Sequence, residues 1–141
     1  MKWDHSLIDT LEWGNQISHK EDKIKIADLI ASKVENGQVI GVGSGSTSYL
    51  ALTRIAERIR TERLSILAIP TSLEIRMTCA QLGTPVTSLC SHKPDWTFDG
   101  ADEVDSHFNL IKGRGGAMFK EKLLISSSPQ TYILVDPSKK V

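Results

Sequence analysis

The chain is predicted to be an α/β protein, a Rossmann-like parallel sheet with helices on both faces. Three observations predict it. Short apolar runs alternate with amphipathic stretches along most of the 141 residues, the strand–helix–strand order that builds parallel sheets. The run Val39, Ile40, Val42 is apolar without alternation, as a strand buried on both faces is. Three glycine- or carboxylate-rich segments (residues 41–47, 99–103 and 112–116) follow predicted strands, and in open α/β sheets ligands sit beyond the carboxyl ends of the strands.

The elements follow in order. Residues 1–20 have mixed polarity and carry Trp3 and Trp13; they are expected to form an arm, with residues 21–141 as the domain. Ile24, Ala27, Leu29, Ile30 and Val34 fall at helical spacing, and Asn36-Gly37 stops that helix. After the strand at residues 39–42, residues 46–60 repeat the helical pattern through Leu50, Leu52, Ile55, Ala56 and Ile59. Residues 64–69 form the second strand, halted by Pro70. Thr71-Ser72 caps a third helix with Glu74 in its first turn, ending near Leu82-Gly83. Residues 85–89 are expected to form a third strand, 96–98 a fourth and Leu110-Ile111 a short one. A helix over residues 117–125 and a last strand over 132–135 complete the pattern. Trp96 and Cys79 are expected in the core.

Lys plus Arg (17) equals Asp plus Glu (17), so no bulk field attracts nucleic acid, and anion recognition must be local. Cys79 and Cys90 form no C-x-x-C pair, and His5, His19, His92 and His107 lack metal-ligand spacing, so neither a metal site nor a disulfide framework is implied. No apolar run spans a bilayer and the start has no signal-peptide core, which makes the cytoplasm the expected location.

Three segments can carry chemistry. Residues 41–47, GVGSGST, follow a strand and open a helix, where free N–H groups favour an anion; Ser44, Ser46 and Thr47 add hydroxyl donors. Ser46 breaks the dinucleotide fingerprint, and no lysine completes a nucleotide P-loop, so a small phosphate monoester fits better; a plain tight turn is the bland alternative. Asp99, Gly100, Ala101, Asp102 and Glu103 place small residues between carboxylates, which leaves room for a substrate and lets two acids divide their roles; an acidic surface turn is equally compatible. In the segment Lys112, Gly113, Arg114, Gly115, Gly116, the glycines permit close approach and Lys112 offers a point charge to an oxyanion. Glu121, judged alone, reads as a solvated helix carboxylate beside Lys120 and Lys122.

Together these segments resemble the ribose-5-phosphate isomerase A family. The stretches are GVGSGST (41–47), IPTSLEIRMTCAQLGTPV (69–86), FDGADEVD (98–105), LIKGRGGAMFKEKLL (110–124) and YILVDPSKKV (132–141), in family order and spacing. The resemblance covers the chain from Lys23 onward. It implies an aldose–ketose isomerase acting on ribose 5-phosphate and ribulose 5-phosphate through an enediolate, without metal or other cofactor. Glu121 then corresponds to the general base and Asp99 to the carboxylate that opens the sugar ring. Asp102 and Lys112 correspond to catalytic residues that hold the sugar oxygens and stabilise the enediolate. The substrate loop is Ser44, Gly45, Ser46 and Thr47, with Ser44 where other members have Thr. Gly100, Ala101, Gly113, Arg114 and Gly115 line the substrate, Lys139 contacts it, and Lys23 corresponds to a further phosphate-contacting lysine.

Family members continue past the position of Val141 into a smaller α+β domain and a returning strand and helix. The resemblance therefore implies an incomplete sheet here, with an uncovered edge or face that a homo-oligomer or a completing partner chain would cover. A non-catalytic sugar-phosphate-binding domain and an inactive truncated paralogue are the alternatives, and retention of Glu121, Asp99 and Lys112 favours the enzyme.

Overall fold

The computed structural model describes residues 16–141; most of the expected arm, with Trp3, His5 and Trp13, lies outside the described residues. Four parallel strands, β1 (Val39–Val42), β2 (Leu67–Pro70), β3 (Trp96–Gly100) and β6 (Thr131–Leu134), form a sheet in the order β2-β1-β3-β6. A two-residue antiparallel pair, β4 (Glu103–Val104) with β5 (Leu110–Ile111), stands beside it. The helices are α1 (Lys20–Ser32), α2 (Ser46–Glu62), α3 (Leu73–Leu82) and α4 (Met118–Ser127), and a 3₁₀ turn spans Pro137–Lys139.

The strands alternate their side chains between two layers. Ile40, Val42, Trp96 and Phe98 join Ala27, Ile30, Ala51, Ile55, Ile75 and Cys79 of α1–α3 in one core. The opposite face, at Gly41 and Thr97, meets Leu124 of α4; a Cβ on Gly41 would stand 2.9 Å from the Leu124 side chain. Each connection runs from strand end through helix to the next parallel strand, the crossover that parallel pairing requires. All the strand ends that precede α2, β4 and the 3₁₀ turn therefore open on the same rim.

Boundaries differ from the sequence reading where turn chemistry intervenes. The helix α1 closes at Ser32, and Gly37 (φ 85°) then turns the chain into β1. Strand β2 begins at Leu67, not at residue 64: Arg63 is left-handed at the end of α2, and the Ser65 amide donates to the Asn36 side chain. The expected strand at residues 85–89 is reduced to a single bridge, Val86 beside Ala68. The amides of Ser91 and His92 both donate to the Ser88 carbonyl, so the chain folds into a turn before a ladder can extend. Strand β3 runs two residues further than expected, through Asp99 to Gly100, because β6 pairs with it in register, Asp99 opposite Ile133.

Candidate active site

A cavity of about 150 Å³ opens on that rim, room for a small organic ligand, not a single water. It gathers the predicted residues from six segments: Lys23 of α1; Ser44, Gly45, Ser46 and Thr47 at the start of α2; Asp99, Gly100, Ala101 and Asp102 at the end of β3; Lys112, Gly113, Arg114 and Gly115 after β5; Glu121 of α4; and Lys139 of the 3₁₀ turn. Sequence reasoning missed two lining residues, Leu134 and Asp136. Lys139 lines the cavity while its neighbour Lys140 is exposed.

One end is built from the start of α2. Gly45 takes a φ of 95° as N-cap, with no side-chain cap and no acidic residue in the first turn. The first intrahelical bond runs from the Tyr49 amide to the Gly45 carbonyl, which leaves the preceding amides of the helix start for a ligand. Lys23, only 4% exposed, donates from Nζ to the Ser46 hydroxyl at 3.1 Å. Burial lowers its pKa, and Lys139 adds to that while Asp136 opposes it. Helix-start amides with two lysines make an anion site. The Ser44 hydroxyl lies 2.8 Å from Thr71 Oγ1, and Thr71 donates in turn to the Val42 carbonyl. With its own proton on the Val42 carbonyl, Thr71 accepts the hydrogen bond from the Ser44 hydroxyl.

The other end is a charge cluster. Lys112 Nζ lies 2.9 Å from Asp99 Oδ2 and 3.5 Å from Glu121 Oε2, and it also donates to the Gly100 carbonyl. Asp99 is 1% exposed and Glu121 6%. Glu121 is thus no solvated helix carboxylate: α4 turns it inward beside Leu124, the only other buried residue of that helix. Burial pushes the Asp99 pKa up to about 6, against the lowering pull of Lys112 and with a further rise from Glu121. Asp102 faces differently. Its Oδ2 accepts from the Arg114 amide at 3.1 Å, tying the 112–116 loop to the end of β3. Gly113 (φ 93°) and Gly116 (φ 81°) let that loop reverse, and the Gly116 amide closes it on the Gly113 carbonyl.

The arrangement suits proton transfer beside a developing oxyanion. A buried carboxylate can accept a proton from carbon, the adjacent ammonium stabilises the charge that results, and a second acid titrating near neutrality can exchange hydroxyl protons. Among the described residues no group of three or more His, Cys, Asp or Glu side chains is placed to hold a metal ion.

Residues 67–141 match the family Ribose 5-phosphate isomerase A (phosphoriboisomerase A). The chain is 42% identical over 118 residues to ribose-5-phosphate isomerase A of Methanothermobacter thermautotrophicus, covering 83% of this chain and 52% of that one. The ribose 5-phosphate isomerase A structure from Methanocaldococcus jannaschii superposes with a TM-score of 0.86 at 39% identity, covering 88% of this chain and 56% of that chain. A D-ribose-5-phosphate isomerase solved in complex with phospho-erythronic acid superposes with a TM-score of 0.84 at 34% identity, covering 89% and 56%. The chain spans about half the length of the curated relatives it matches.

Proposed function

The chain belongs to the ribose 5-phosphate isomerase A family, and from that premise we propose that it interconverts ribose 5-phosphate and ribulose 5-phosphate with Glu121 as the base. The observation that carries the reading is Lys112 held between two buried carboxylates, Asp99 and Glu121, in the same cavity as the α2 start.

In this reading the phosphate rests on the amides at the start of α2, between Lys23 and Lys139. Binding energy gathered there, remote from the reacting carbons, positions the sugar. Asp99 exchanges the proton that opens the ring. Glu121 takes the proton from C2, and the electron pair moves through C1 onto O1, giving an enediolate beside Lys112. A proton passes from O2 to O1, and Glu121 returns its proton to C1, leaving the ketone at C2. No electron leaves or enters. Phospho-erythronic acid, which a relative binds, supports the reading: it is a phosphorylated hydroxy acid whose planar carboxylate resembles an enediolate.

The same reading takes residues 21–141 as one sugar-phosphate-binding domain, in a cytoplasmic protein that works as a homo-oligomer or with a completing chain. The exposed apolar side chains of α4, Met118, Phe119 and Leu123, support that last part. No helix of the described residues is long and apolar enough to cross a membrane.

The test is conversion of ribose 5-phosphate by purified protein, with and without chelator, beside Glu121→Gln. The variant should lose about 10²- to 10⁴-fold in kcat while its affinity for the sugar phosphate is kept. Binding without any turnover in the wild type would replace the enzyme by a sugar-phosphate-binding domain.

A further inference from the structure

Asp136 is a charged cavity residue that the reaction above leaves unused. It follows β6, is 2% exposed, and caps the 3₁₀ turn that delivers Lys139. Its Oδ1 accepts from the Ser138 amide at 2.9 Å and from the Ser138 hydroxyl. Its Oδ2 is buried and has no hydrogen-bond partner among the described residues. A buried carboxylate oxygen without a donor is costly, and such an atom in a cavity marks the place where a ligand supplies the donor.

Two of the cavity's lysines are already engaged. Lys23 Nζ is turned towards Ser46 at 3.1 Å and Ser18 at 3.4 Å. Lys112 is held by Asp99, Glu121 and the Gly100 carbonyl. Burial tends to raise the pKa of Asp136, but the two Ser138 donors and the fields of Lys23 and His19 outweigh it, so the group lies below its ordinary value and is an acceptor only. A phosphate dianion has no proton to give it; a sugar hydroxyl has. Asp136 acts electrostatically on Lys23 and its carbonyl accepts from the Lys139 amide, which puts it at the phosphate end of the cavity.

We propose that Asp136 Oδ2 accepts the hydroxyl on the carbon next to the phosphate-bearing carbon, C4 of an open-chain pentose 5-phosphate, and so determines specificity for ligands that carry it. The inference rests on the functional reading above. It also favours the open chain, because in the furanose form O4 is a ring atom without a proton.

The test is equilibrium binding of ribulose 5-phosphate, its 4-deoxy analogue and inorganic phosphate, with Glu121→Gln as the background that stops turnover. Asp136→Asn keeps an acceptor for Ser138, since Asn caps about as well as Asp. It should weaken ribulose 5-phosphate about 10- to 100-fold and leave the analogue and inorganic phosphate nearly unchanged. With Asp136 intact the analogue should bind weaker by the same factor, a measurement that needs no change at residue 136. Equal affinity for ribulose 5-phosphate and the analogue would overturn the assignment alone. So would a parallel loss of inorganic phosphate in Asp136→Asn, which would make Asp136 a partner of the lysines. Binding of inorganic phosphate but not of ribulose 5-phosphate would overturn the functional reading and this inference with it.

Discussion

Gly43 lies against Asp99 so closely that a Cβ built on it would stand 2.6 Å from the Asp99 Cα and collide with the carboxylate. The Gly43 amide donates to the Phe98 carbonyl at 2.8 Å, so neither backbone can retreat without breaking the β1–β3 seam. The glycine is required by proximity, not by its dihedral angles. Gly43→Ala should cost about 1–3 kcal/mol of stability, the usual cost of overpacking, and should lower kcat through displacement of Asp99. Denaturant melts and steady-state kinetics check both; an alanine variant with wild-type kcat would show that Asp99 tolerates displacement.

Lys112 is the cation between two carboxylates that have almost no solvent, and its own side chain is 16% exposed. Lys112→Met leaves that pair facing without compensation. The loss should be roughly 3–5 kcal/mol near neutral pH and smaller in acid, where one carboxyl takes up a proton. Melts at two pH values decide it: a penalty independent of pH would mean that packing, not charge, is what Lys112 supplies.

Asp99 gives the chain a pH signature of its own. Its pKa in the folded state is about 6 against an ordinary 3.8, so the folded chain holds this proton more tightly than the unfolded chain does. That contribution is complete below the unfolded pKa and is lost as pH rises from about 4 to about 6, roughly 3 kcal/mol in all. Asp99→Asn should flatten the stability curve over that window. A variant whose melting temperature falls with pH as steeply as the wild type would assign the effect to another group.

The two cysteines should react unequally. Cys79 is fully buried, and burial pushes its thiol up to about 12; Cys90 is exposed. A thiol reagent should label Cys90 alone in the native protein and both after unfolding, because only the accessible thiolate is nucleophilic. Fast native labelling of Cys79 would show that α3 opens readily.

Much of the architecture was legible because the signals were local. The apolar run at Val39, Ile40 and Val42 and the Ser72 cap of α3, which accepts from the Ile75 amide at 3.2 Å, are each written in a few adjacent residues. What escaped depends on partners distant in sequence. The turn at Ser88 shortens the pairing of Val86, and the two-residue strand β4 exists only because Glu103 and Val104 meet Ile111 and Leu110. Glu121 read as a surface carboxylate since its neighbours Lys120 and Lys122 are polar and its burial comes from packing α4 on the sheet. Asp136 was invisible for a different reason: an Asp before Pro-Ser is an ordinary cap, and nothing local tells which of its oxygens is left over.

The cavity takes side chains from Lys23 at one end of the described chain to Lys139 at the other, and its floor exists only once β6 has paired with β3. Such non-local parallel pairing is slow to form, since loop closure must precede the contacts that reward it. The binding site is therefore among the last things this chain acquires as it folds. A ligand that occupies it draws on the whole sheet, so its affinity and the cooperativity of global unfolding are one linked equilibrium, and saturation with sugar phosphate should raise the melting temperature of the entire domain in a single transition.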